Sequence, residues 1–142
     1  MTGAELEPIT CDTSVLVPAL VGWHSHHEEC RDAIEDMSFI AAHVLLEAFS
    51  VLTRLPAPHR VAAKDASSLV AALPFTPVVL PPDQLMSLIA GFGGQGVRGG
   101  AAYDALVAAT AHHHGLVLLS RDKRAGSTYD RLGAAHRLMS VA

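Results

Sequence analysis

The chain has 142 residues, half of them hydrophobic and 17% charged, with a formal net charge of −4 when its histidines are neutral. That length suits one domain able to bury a real core, and the composition excludes disorder. The acidic balance excludes a nucleic-acid binder that relies on bulk charge, but not an enzyme that grips phosphates through a metal ion and a few local Arg and Lys.

No apolar run reaches the roughly 18 residues of a membrane span. The opening stretch, Met1 to Glu7, is acidic and lacks the basic-then-apolar order of a signal peptide, so a cytoplasmic protein is expected. Two cysteines, Cys11 and Cys30, make no disulfide framework, and Cys11 reads as a buried strand residue. In chain order, Pro8 to Cys11 opens a short apolar, β-branched strand of the kind buried on both faces, and Asp12 interrupts it where strand should give way to helix. Val15 to Val21 is expected as a short helix, with Pro18 tolerated only near its first turn. Trp23 to Asp36 reads as an amphipathic helix with a charged face. Phe39-Ile40-Ala41 is a second strand, and His43 to Leu55 a helix stopped by Pro56 and Pro58. Val61 to Leu73 is a further helix, ended by Pro74. Phe75 to Leu80 is a Val-rich strand between prolines, and Pro81-Pro82-Asp83 opens a helix running to about Phe92.

Residues 91–100 read as a glycine-rich loop. Ala101 to His114 is an Ala-rich helix with Gly115 as its C′ residue. Leu116 to Ser120 is a buried strand. A short helix is expected over Ser127 to Leu132, and a closing edge strand over Arg137 to Val141. Strands alternate with helices throughout, which predicts an α/β fold with a mostly parallel central sheet wrapped on both sides. No repeat or linker divides the 142 residues, so they are expected to form a single domain, with residues 1–7 as a flexible extension.

In such sheets the residues just past strand ends gather at the carboxyl edge, where ligands bind. Asp12 ends the first strand and Asp122 follows the Leu116 to Ser120 strand. Glu47 lies early in the helix after the second strand, and Asp104 near the start of the Ala-rich helix. All four are therefore predicted at one end of the molecule. Three of them have a plain alternative. Asp12 caps a helix; Asp104 answers a helix macrodipole; Glu47 lies on a stripe with His43, Ser50 and Arg54 that faces water. A hard divalent cation such as Mg²⁺ or Mn²⁺ explains all four together, because it prefers oxygen ligands and keeps several waters. Ser14 and Ser120 are placed to orient ligands or water. Arg121, Lys123 and Arg124 either hold neighbouring phosphates or form an ordinary charged loop.

Asp12-Thr13-Ser14, Glu47 within a Leu-Leu-Glu helix, the run from Tyr103 to Ala111 and the run from Leu118 to Ala125 together resemble the PIN domain, and more narrowly the VapC toxins of bacterial toxin–antitoxin pairs. The segment Thr128 to Gly133 is also similar to that family. The order and spacing of the four acids, not any single motif, make the match specific. The resemblance implies a three-layer α/β/α fold and a Mg²⁺- or Mn²⁺-dependent endoribonuclease. Asp12, Glu47, Asp104 and Asp122 fall on the family's acidic positions, and Ser14 and Ser120 on its polar accompaniments. It implies in-line attack of water on the scissile phosphorus, leaving a 5′-phosphate and a 3′-hydroxyl. It also implies a homodimer and a cognate VapB-type antitoxin. By the same resemblance, the antitoxin's C-terminal segment is expected to lie over the toxin's groove, and its DNA-binding part to take the complex to its own operon and repress it. The extension before Pro8 is longer than in the shortest members.

Other features point elsewhere. Gly94-Gln95-Gly96-Val97-Arg98-Gly99 matches G-x-G-x-x-G literally, but the segment upstream reads as helix where a dinucleotide site needs a strand. His24, His26 and His27, and His112 to His114, are consecutive or nearly so; such residues point apart on a helix and suit a surface better than a zinc site. Trp23 with Val15, Leu16, Leu20 and Val21 reads as core or as a partner-binding groove. A phosphatase with an aspartyl nucleophile is disfavoured, because no second Asp stands two residues after Asp12. A protein-binding module with a vestigial site is the non-enzyme alternative.

Overall fold

A computed structural model describes residues 7–139. The expected extension, except Glu7, and the last residues of the expected closing strand, Ser140 and Val141, lie outside the described residues. The element order is β1 (Ile9–Cys11), α1 (Thr13–Leu20), α2 (His27–Ala33), β2 (Phe39–Ala41), α3 (Ala42–Arg54), α4 (Ala63–Ala71), β3 (Thr76–Val78), α5 (Pro82–Gln95), α6 (Ala101–His113), β4 (Val117–Ser120), α7 (Lys123–Arg131) and β5 (His136–Leu138).

Every strand pairing among the described residues is parallel: β1 with β4, β4 with β5, and β2 with β3. β2 lies beside β1, where the Thr10 hydroxyl donates to the Phe39 carbonyl at 2.9 Å. The backbone-paired sheets are β1-β4-β5 and β2-β3; with β2 packed beside β1, the strands lie side by side in the order 3-2-1-4-5, running outward from β1 in both directions. Right-handed crossovers then require α1 to α4 on one face of the sheet and α5 to α7 on the other. The packing agrees: α1 lies on α2 and α3, α3 on α4, and α6 on both α5 and α7. The result is the expected three-layer α/β/α arrangement. Cys11, Leu118 and Ile40 from the strands, with Leu16, Val44 and Leu52 from α1 and α3, are fully buried in the core.

Several elements depart from the expected boundaries. α1 begins at Thr13, capped by Asp12, so Pro18 sits in the helix interior. Its missing N–H is outweighed by burial, since Val15, Leu16, Val17, Pro18 and Ala19 are all buried. α2 starts only at His27, because residues 23–26 turn and the His24 ring accepts from the His26 N–H at 3.0 Å. Trp23 is half-exposed and stacks on His59 instead of entering the core. α5 runs through Gly91, Gly93 and Gly94, which had read as loop, and ends at Gly96 in the left-handed region with φ +70°. No α5 residue is fully buried, so glycines there leave no hole in the core. α7 starts four residues early, at Lys123, because the Asp122 side chain caps it by accepting from the Arg124 and Ala125 N–H groups. Gly115, with φ +69°, follows α6 as expected. Ala125 and Tyr129, four residues apart, share the buried inner face of α7.

Candidate active site

The strand order reverses between β1 and β4, so their carboxyl ends open a crevice. The register aligns Cys11 with Leu119, and the next residues on each strand are Asp12 and Ser120. Asp12 and Asp122 thus enter the crevice from the two adjacent strands. Glu47 reaches it from α3 and Asp104 from the first turn of α6. All four carboxylates line one narrow cleft of roughly 40 Å³, together with Thr13, Ser14 and Tyr129. That space suits about three waters, or a cation with part of its hydration shell.

Asp12 is 6% exposed. One of its oxygens accepts from the Ser14 N–H at 3.0 Å and from the Ser14 hydroxyl at 2.5 Å. The other accepts from the Tyr129 hydroxyl at 2.7 Å. Burial raises its pKa, and the bonds from Ser120, Ser14 and Tyr129 oppose that rise. The Ser14 oxygen also accepts from the Arg121 N–H at 2.7 Å. The Ser120 hydroxyl lies 3.4 Å from that oxygen. Ser120 Oγ in turn accepts from the Asp122 N–H at 3.0 Å. One hydroxyl network therefore ties the start of α1 to the turn between β4 and α7.

Asp122 takes the Arg124 and Ala125 N–H bonds on a single oxygen, Oδ1. Its other oxygen makes no hydrogen bond among the described residues, and Asp122 lines the cleft. Glu47 Oε2 lies 3.2 Å from His43 Nε2. Asp104 is half-buried, and its pKa is raised to about 6 by burial and by the charges of Asp122, Glu47 and Asp12. Among the described residues no Lys or Arg stands at ion-pair distance from it. Uncompensated negative charge is what a cation relieves.

No three His, Cys, Asp or Glu side chains among the described residues form a ready-made cage. The hard ions that fit this donor set do not need one, since they keep several waters and take one or two carboxylates plus substrate oxygens. The all-oxygen, acidic lining therefore fits such an ion.

Sequence reasoning predicted the four acids at one end of the molecule, and the structure brings them to this one cleft, with both serines in its hydrogen-bond network. It missed Tyr129, whose ring is 1% exposed and whose hydroxyl holds Asp12. Burial first, then the Asp12 charge, push its pKa far up, so it stays a donor. The available signal was a lone aromatic residue one turn after Ala125 on the apolar side of a polar helix. Of the basic trio, the Lys123 and Arg124 side chains are exposed at the start of α7. Arg121 turns toward the α1–α2 segment: burial, then its charge, lower the His24 pKa. Its Nε is buried without a described partner.

A profile of the PIN domain matches residues 9–131. Ribonuclease VapC40 of Mycobacterium tuberculosis is 41% identical over 125 residues, covering 87% of this chain and 93% of the relative. Ribonuclease VapC27 of the same organism is 38% identical over 135 residues, 89% of this chain and 93% of the relative. The solved structure of Mycobacterium tuberculosis VapC20, a sarcin–ricin loop cleaving toxin, superposes with a TM-score of 0.65 at 17% identity, over 84% of this chain and 93% of that one. DNA-bound VapBC from Salmonella typhimurium superposes with a TM-score of 0.64 at 17% identity, over 93% and 98%. With the profile running from the first strand through α7, and across the crevice where the acids meet, the chain belongs to the PIN domain family, among its VapC members.

Proposed function

We propose that the chain is an endoribonuclease toxin that hydrolyses RNA phosphodiester bonds with a divalent cation, Mg²⁺ or Mn²⁺, held by Asp12, Glu47, Asp104 and Asp122. One observation carries the reading: four carboxylates from four separate elements line one narrow cleft at the strand reversal. The names of its relatives, Ribonuclease VapC40 and Ribonuclease VapC27, support the activity.

When bound, the ion supplies charge neutralisation, a more acidic water and stabilisation of the charge that grows on the phosphodiester. The chain's own groups do the rest. Ser14 and Tyr129 hold the Asp12 carboxylate in one orientation in the cleft wall. Ser120 keeps Ser14 and the Asp122 backbone in register. Asp104 and Glu47 complete the wall opposite the strands. Lys123 and Arg124 hold flanking phosphates, and the Arg121 backbone anchors the loop they leave from.

A VapB-type antitoxin fits the same cleft, because a basic side chain laid among the acids relieves the repulsion that a cation relieves. The solved VapBC complex among the fold neighbours supports such a partner. We further expect two copies to associate as a homodimer acting in the cytoplasm. No helix among the described residues is long and apolar enough to cross a membrane. The test is cleavage of total cellular RNA with Mg²⁺ or Mn²⁺ by wild type, Asp12→Asn and Asp104→Asn. Each substitution is expected to lower the rate by about 100-fold or more, on the order of 3 kcal/mol of transition-state stabilisation. Equal rates in all three would reject the acidic cleft as the site.

A further inference from the structure

Beside the acidic cleft lies a wider groove of roughly 570 Å³ that shares Glu47 and Asp104 with it. His43 from α3 and Tyr103 from α6 stack at its wall, with ring centroids 5.4 Å apart and planes 2° from parallel. The contact between His43 and Glu47 holds the His43 ring in place. Tyr103 is 58% exposed and Leu46 beside it 66%, which leaves a large apolar surface facing water. Arg54 also lines the groove. It stands about two turns beyond Glu47 on the same helix face, roughly 10 Å along the axis.

We propose that this groove is a stacking subsite for one unpaired RNA base adjacent to the phosphate at the acidic cleft, with Tyr103 as the platform and Arg54 meeting the next phosphate. The inference rests on the ribonuclease reading and deepens it. The protein carries a net charge of −4, and four acids surround the reacting phosphate, so the acids' field repels RNA. A contact that does not depend on charge must supply affinity, and base–aromatic stacking does so for any sequence with an accessible base face. Paired bases hide that face, so the groove selects single-stranded segments, loops or bulges. A second copy of the chain is the competing occupant. Two acids, Arg54, Ser50 and His43 make the lining too polar for the core of a copy-to-copy seam, where charged residues are depleted.

The test uses the full chain and a fluorescein-labelled pool of random-sequence single-stranded RNA 20-mers. Binding is read by anisotropy with Ca²⁺ replacing the catalytic ion and RNA integrity checked by gel. Tyr103→Ala is expected to weaken binding by about 5- to 100-fold, and Tyr103→Phe to retain it. In Mg²⁺ or Mn²⁺, Tyr103→Ala should raise KM while leaving kcat within about threefold. Ultraviolet crosslinking of 4-thiouridine-substituted RNA to Tyr103 should disappear in the Ala variant. Wild-type binding by Tyr103→Ala would overturn the subsite and leave the ribonuclease reading intact. So would a shift from dimer to monomer on sedimentation with RNA binding unchanged, which would assign the groove to a second copy. Tyr103-dependent binding by a protein that never cuts RNA would uphold the subsite and sink the ribonuclease reading.

Discussion

Burial would ordinarily protonate Asp12, and the hydroxyls of Ser14, Ser120 and Tyr129 are what work against that. Asp104 has no such support. Its pKa of about 6 reflects burial first and then neighbours of like charge, so without metal the folded protein binds a proton there more tightly than the unfolded chain does. Stability from this group is therefore highest at low pH and falls as pH rises from about 4 to 6. Asp104→Asn removes the repulsion. After allowance for solvent screening of a half-buried group, the metal-free variant should be more stable than wild type by about 1 kcal/mol at pH 7. That is a rise of roughly 4 °C in Tm, shrinking toward zero near pH 4. Calorimetry in EDTA at the two pH values checks it, and a gain that does not vary with pH would point to a cause other than charge.

At the scale of elements, the Ser14 hydroxyl joins two segments that are distant in sequence. Ser14→Ala leaves the Arg121 N–H without its acceptor and Asp12 with one bond fewer. A stability loss of about 2 kcal/mol is expected, read as a lower urea midpoint with unchanged slope. A changed slope would mean that the fold itself had loosened. The same scale shows what the sequence can reveal. Asp12 was legible because a carboxylate ending a buried strand is costly, and Asp104 because its helix is largely alanine. The passage of α5 through Gly91, Gly93 and Gly94 was not, since glycine weakens a helix without forbidding one and the Gly96 cap lies further on. The early start of α7 was hidden because Asp122 has two uses, as cap and as cleft acid. Tyr129 was hidden for a different reason: its partner is 117 positions away, and no periodicity encodes such a pairing.

For the whole molecule, an ion held by the gathered acids, as proposed, would make folding and ion binding one linked equilibrium. At about 100 times its Kd, Mn²⁺ should add roughly 2.7 kcal/mol to wild-type stability, a clear upward shift in Tm. Asp12→Asn, which keeps the shape of the side chain and loses its charge, should blunt that shift strongly. An equal shift in the variant would place the ion elsewhere on the surface. The acids are set apart along the chain but meet where the strand order turns back, so the topology that forms the sheet also forms the cleft.

That meeting point has a consequence for biosynthesis. Tyr129 leaves the ribosome 117 residues after its partner Asp12, and Asp122 only shortly before that. A nascent chain that has not yet released β4 and α7 has only part of the acidic cleft, because Asp122 and Tyr129 are still missing from its lining. The order of synthesis is thus a built-in delay, in which the cleft forms only after the last of its contributing elements has been released.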